Sequence, residues 1–175
     1  MMKYAVHTIM MAAAGLLAVS CETSRPVEVV LVKSDLPAAA GRDSAQLAYD
    51  LSQKTWCTND EACSLILMLM EGEDSCRNFD ERIVALDAKG LADAGWDMAA
   101  DQPVTKGTLA YMLCRALDIR GGVMMHLLNN RRYSYRQAVA EGLMVKGSEW
   151  EPLTGPEVVG IIGRAARMKD RMVSQ

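Results

Sequence analysis

Aromatic side chains are scarce: one Phe, three Trp and five Tyr occur in 175 residues. Strands favour aromatic and β-branched residues, so a sheet sandwich is disfavoured; the 13 Met and the many Ala fill space between packed helices instead. Charge of one sign is lacking as well. A formal net charge of −3 leaves no basic footprint for nucleic acid and no strong acidic bias. Histidine is nearly absent. His7 lies in the N-terminal apolar run and His126 stands alone in the rest, which excludes the usual multi-histidine metal sites. No Gly-rich phosphate cradle exists either: Gly121-Gly122 reads as the loop after an apolar helix, without P-loop or dinucleotide spacing. What is present is enough for one domain with a real core, because half the residues are apolar.

The first residues read as an address. Lys3 supplies a minimal positive start, Tyr4 to Val19 is mostly apolar, and the small-residue stretch Ala18-Val19-Ser20 precedes Cys21. The expectation is a signal peptide over 1–20. The run falls about a turn short of the ~20 residues that a spanning helix needs, so a permanent membrane helix is the weaker reading. Leu17-Ala18-Val19-Ser20-Cys21 resembles the bacterial lipoprotein lipobox. The resemblance implies a diacylglyceryl group on Cys21, which would hold the chain at a membrane surface without spanning it. The family prefers Leu where Ala18 stands, and Ala18 with Ser20 also satisfies ordinary signal cleavage. Glu22 does not match an Asp-type inner-membrane retention signal, which favours the periplasmic face of an outer membrane.

Residues 21–43 read as a tether, broken by Pro26, Pro37 and Gly41, with Val27 to Val32 as one short β-prone stretch. Beyond it lie Cys57, Cys63, Cys76 and Cys114. Four cysteines in an exported chain permit disulfides in three pairings, whereas Cys63 and Cys114 fall in apolar helical runs that suit buried free thiols.

From residue 44 onward the pattern is helical, and an all-α domain is expected over 44–175. Thr58, Thr105 and Thr154 each open an apolar helix as an N-cap, 47 and 49 residues apart. Thr58 with Glu61, and Thr154 with Glu157, have capping-box spacing; Thr108 takes the Glu place in the middle copy. Counting four, seven, eight and eleven residues from each cap traces one helical face. It carries Ala62, Leu65, Ile66 and Leu69; then Leu109, Met112, Leu113 and Ala116; then Val158, Ile161, Ile162 and Ala165. The segments before the second and third caps also recur. Phe79, Ile83, Leu86 and Leu91 precede a break at Gly90 and Gly95; Tyr135, Val139 and Leu143 accompany a break at Gly142 and Gly147. Each unit is therefore a helix, a Gly-punctuated loop and a capped helix, with Ala45 to Gln53 as the worn first helix.

These stretches, above all GLADAGWDMAADQPVTKGTLAYMLCRAL and GLMVKGSEWEPLTGPEVVGIIGRAA, resemble the S-layer homology repeat. The resemblance covers most of residues 45–168. It implies an all-α assembly of three repeats that holds its protein to cell-wall polymers, with the Arg of a Thr-Arg-Ala-Glu motif meeting an acidic glycan. The quartets here are Thr58-Asn59-Asp60-Glu61, Thr105-Lys106-Gly107-Thr108 and Thr154-Gly155-Pro156-Glu157, and none contains that Arg. Lys106 is the one cation at that place, and Lys is a poorer bidentate donor.

Candidate chemistry is thin. A Cys–His or Ser–His–Asp nucleophile has no local signature around any Cys or Ser, and His126 reads as a packing or surface residue. Glu71, Glu73 and Asp74, with Asp80 and Glu81, read as solvated charges; used as acids, they would make an exported carboxylate-dependent hydrolase. Arg131, Arg132, Tyr133, Tyr135 and Arg136 mix cations with aromatics, which suits an anionic glycan, a headgroup or a protein partner. The plainer reading buries Tyr135 and leaves the arginines on the surface. Trp56, Trp96 and Trp150 each precede a capped helix and either pin a loop or stack on a sugar. The expectation is an envelope lipoprotein with a structural or binding role rather than an enzyme. Its partners are a membrane through Cys21 and a wall glycan or envelope protein, with no cofactor and no metal. A scaffold without a ligand is the third reading.

Overall fold

The computed structural model describes residues 43–93, 95–121 and 130–174. The signal peptide, Cys21, the tether with Val27 to Val32, and His126 lie outside the described residues. The fold is all-α: among the described residues there are six helices and no strand, only two isolated bridges. The helices are α1 (Ser44–Ser52), α2 (Asn59–Glu71), α3 (Phe79–Ala88), α4 (Lys106–Ala116), α5 (Arg131–Ala140) and α6 (Gly155–Val173). None is long and apolar enough to cross a membrane.

Two kinds of N-cap alternate along the chain. Asp43, Asn78 and Asn130 cap α1, α3 and α5, each side chain accepting from a backbone N–H of the first turn. Thr58, Thr105 and Thr154 cap α2, α4 and α6. The reciprocal box is complete at Thr58–Glu61 and Thr154–Glu157. At Thr105 the Thr108 hydroxyl instead lies 3.0 Å from the Thr105 hydroxyl. Gly90 and Gly142, just past α3 and α5, hold φ of +66° and +72°, the left-handed turn expected at those positions.

The first turn of a helix has N–H groups with no partner inside the helix. Here the three Thr-capped helices satisfy one another's. Residues immediately before the caps form a closed ring of backbone hydrogen bonds. Cys57 N–H donates to the Leu153 carbonyl at 3.0 Å, Leu153 N–H to Val104 at 2.9 Å, and Val104 N–H to Cys57 at 2.8 Å. All three are buried. One residue past the caps, Asn59 N–H donates to Gln102, Lys106 to Glu151, and Gly155 to Lys54. Two past, Asp60 donates to Ala100 and Gly107 to Glu149; Pro156 occupies the third such place and has no N–H to satisfy. Gly155 is required by closeness, since a Cβ there would overlap the Leu51 carbonyl oxygen.

Around this ring, α2 packs on α3, α4 and α6, while α4 packs on α5 and α1 on α6. The core runs through Leu51, Ile66, Leu86, Leu109, Met112 and Val158. The three Thr-capped helices do not bury the same width of surface. α2 is buried at every position from Asn59 to Met68 and α4 from Lys106 to Cys114, whereas α6 buries only Gly155, Val158, Ile161 and Ala165. Ile162 and Leu69, placed on the buried face from spacing, are half-buried. Lys169 closes the far end of α2 by donating to the Leu69 carbonyl at 2.6 Å and to Met70 at 3.2 Å.

Candidate functional site

The α4–α5 corner gathers most of the chemistry that faces solvent. Gly107, two residues past the Thr105 cap, lets the 148–151 loop come close: a Cβ there would stand 3.0 Å from the Glu149 carbonyl oxygen and 3.4 Å from Arg131 Cβ. The Arg131 guanidinium lies over two indoles, 5.0 Å from the Trp96 ring centre and 5.9 Å from that of Trp150. Trp96 meets Tyr111 edge to face at 5.0 Å, and Arg115 covers Tyr111 at 5.6 Å. Arg115, Tyr111, Trp96, Arg131 and Trp150 thus form one continuous ladder of cations and rings. Trp150 is its open end, 69% exposed.

Lys106 sits at the same corner but is not a free cation. Its side chain is buried, and Nζ donates to Glu151 Oε2 at 2.7 Å. That hydrogen bond, with the Lys106 charge, holds the Glu151 carboxyl below its ordinary value. Of the other candidates, Arg132 is exposed, and Arg136 covers Tyr133 on its own helix at 5.9 Å. Tyr135 is buried, its hydroxyl donating to the Val145 carbonyl at 3.1 Å. The structure therefore gives Arg131 and Lys106 different partners at this corner, the two indoles and Glu151, and keeps Tyr133 and Arg136 as a separate pair. Trp56 is half-buried.

The α2–α3 corner corrects one expectation. Asp74 is not a solvated charge: it is 2% exposed, and its Oδ2 accepts from Arg82 Nε at 2.6 Å. Arg82 Nη1 reaches Asp60 Oδ1 at 2.8 Å, and Nη2 donates to the Cys76 carbonyl at 3.2 Å. Burial alone would lower the Arg82 pKa, but the bond to Asp74 and the Asp60 charge outweigh it and raise it. Asp60 and Asp74 are thus both tied to one guanidinium inside the protein.

The four cysteines are free thiols. Burial, then the Asp60 charge, pushes Cys63 up to about 12, and burial pushes Cys114 to about 12. Cys57 is raised by the same desolvation, and Cys76, only half-buried, is raised by burial and by Asp74. A thiol held neutral is a poor nucleophile and a poor metal ligand. Among the described residues no group of three or more His, Cys, Asp and Glu side chains is placed to hold a metal ion.

The Asn and Asp caps, the Asp60–Arg82–Asp74 triad and the Trp96–Arg131–Trp150 stack were not read from the sequence. The caps had a signal, Asn or Asp just before an apolar-periodic run. Arg82 had one too: it stands four residues after its cap, where α1 places Leu47 in the core. Compared with known proteins, the chain matches no family model, no curated protein and no solved structure.

Proposed function

We propose that this chain is a bacterial envelope lipoprotein, anchored by lipid on Cys21 and facing the periplasm. Its helices form three degenerate S-layer-homology-like units that bind a wall glycan or an envelope protein without catalysing a reaction. The observation that carries the reading is the closed ring of Cys57, Val104 and Leu153 at three Thr caps 47 and 49 residues apart. Each capped helix donates its first N–H to the loop that leads into the next, which is how repeated units close on one another rather than stack in a line. The α4–α5 corner supports the binding role. The Thr105 quartet lacks an Arg, and Arg131 of the neighbouring helix sets its Cβ against Gly107 and donates from Nη1 to Thr108 Oγ1 of the quartet at 3.4 Å. The exposed indole of Trp150 offers a stacking face, and the cation beneath it suits an acidic sugar.

Two measurements test this reading. Mass spectrometry of the mature N-terminus should find a diacylglyceryl group on Cys21 that the Cys21→Ala variant lacks. Sedimentation with purified wall polymer should retain the protein, and Trp150→Ala with Arg131→Ala should release it. Retention unchanged in that double variant overturns the site; an unmodified N-terminus overturns the anchor.

A further inference from the structure

A second surface lies away from the α4–α5 corner. The turn after α5, Glu141 to Leu143, and the C-terminal half of α6 line an open groove of about 420 Å3, a size common among small-ligand sites. Three arginines line it, Arg164, Arg167 and Arg171, together with two acidic residues, Glu141 and Asp170. Spacing of three and then four residues puts the arginines on one face of α6. Gly160 and Gly163 make room for two of them: a Cβ at these positions would lie 3.6 Å from Arg164 Nη1 and 3.7 Å from Arg167 Nη1. Both side chains therefore fold back over bare backbone.

Arg164 is fixed further. Its Nε donates to the Leu143 carbonyl at 2.9 Å, which orients the guanidinium and leaves its Nη donors for another partner. Arg167 and Arg171, a turn apart and of like charge, form no ion pair among the described residues. Like charges at that spacing repel on a helix, and an anion between them would remove the repulsion. The Glu141 carboxylate accepts from Gln137 at 2.8 Å rather than from an arginine, and with Asp170 it sets two carboxylates against three cations, an excess of one positive charge in the lining. Leu143 and Met168 add apolar lining beside the cations.

We propose that this groove binds a phosphate ester, with the phosphate on the Arg164, Arg167 and Arg171 forks and the carbon part against Leu143 and Met168. Planar guanidinium donors match phosphate oxygens in pairs, as a lysine cluster would not. The inference is independent of the wall-binding reading, because it uses neither Arg131 nor Trp150. The same chemistry is offered by a soluble phosphoester and by a lipid headgroup.

The test titrates the full chain, purified as it accumulates in cells, with glycerol 3-phosphate by calorimetry. In parallel it compares co-sedimentation with phosphatidylglycerol-containing vesicles and with phosphatidylcholine vesicles. Saturable binding of the soluble probe, or preference for the anionic vesicles, is expected, and which of the two occurs names the source. Arg167 and Arg171 are exposed, so Arg167→Gln with Arg171→Gln should fold as the parent does. The pair should weaken binding by about tenfold or more. Arg167→Lys with Arg171→Lys, which keeps charge but loses the fork, should fall between and serves if the Gln variant does not fold. No saturable binding of either probe at millimolar concentration, or binding that both double variants leave unchanged, overturns the proposal.

Discussion

At the α2–α3 corner, Arg82 lies 3% exposed between Asp60 and Asp74; at the α4–α5 corner, Arg131 lies between two indoles, one of them 69% exposed. Both corners join a Thr-capped helix to an Asx-capped helix. Two residues past the Thr cap stands Asp60 in one and Gly107 in the other. An Asp there offers a carboxylate that can draw a guanidinium inward, and Asp74 adds a second. A buried charge is tolerable only when paired and hydrogen-bonded. The place of Arg82, four residues past its Asn cap, is held in α5 by the buried Ser134, and the guanidinium comes instead from Arg131, one residue past the cap, where ring faces partner it and Nη1 donates to Thr108 Oγ1 at 3.4 Å. One corner is closed by ion pairing and the other is left usable, on the same backbone frame.

The comparison breaks most visibly at the two arginines. Arg82→Ala leaves Asp60 and Asp74 without their guanidinium and should cost about 3–5 kcal/mol in urea unfolding. Arg131→Ala loses cation–π contacts at a wet edge and should cost about 1 kcal/mol. Thiol labelling sharpens the contrast. Cys63 beside the triad should react only in Arg82→Ala, because its burial is then lost in frequent local opening.

Gly107→Ala tests why the second corner stays open. The added methyl presses on the Glu149 carbonyl, so the 148–151 loop must shift, at about 1–3 kcal/mol. Trp150 should leave Arg131, read as a change in tryptophan emission. A loop that keeps its place would show that Gly107 is not what shapes the site.

The caps should rank by their partners. Thr58→Ala breaks a complete, buried box and should cost about 1–2 kcal/mol, while Thr105→Ala, whose box lacks the Glu, should cost about 0.5–1 kcal/mol. Equal losses would mean that the backbone ring, rather than the side chains, holds both helix starts.

The smallest effect is on pH dependence. Glu151 has a depressed folded pKa, so its pairing with Lys106 stabilises fully above the ordinary carboxyl value of 4.5 and is lost as pH falls through the lower folded value. Glu81, lowered by its backbone and side-chain bonds from Arg77, behaves alike at the other corner. Glu151→Gln should flatten part of the acid limb of a melting-temperature profile, and Glu81→Gln another part. An unchanged profile in both would mean that other carboxylates govern acid unfolding.

Local chemistry made much of the fold legible. A Thr three residues before a Glu, or a Gly after a periodic run, acts within one turn, so the Thr58 and Thr154 boxes and the turns at Gly90 and Gly142 can be read directly. The burial face of α6 follows from its period, with Val158, Ile161 and Ala165 inside. For α2 and α4 the period understates burial. Being packed by several neighbours, these helices bury polar residues such as Asn59, Ser64 and Thr108 on faces that spacing assigns to solvent.

What the sequence by itself determined is the all-α class, the three Thr helix starts and the glycine turns, because each depends on atoms a few residues apart. Only the tertiary structure decided that Cys57, Val104 and Leu153 close a ring, that Asp74 is a core ion, and that Arg131 sits between Trp96 and Trp150. Those partners stand eight to 96 residues apart along the chain. Their pairing depends on which helix ends meet, and desolvation then decides which charges must be paired and which stay at the surface.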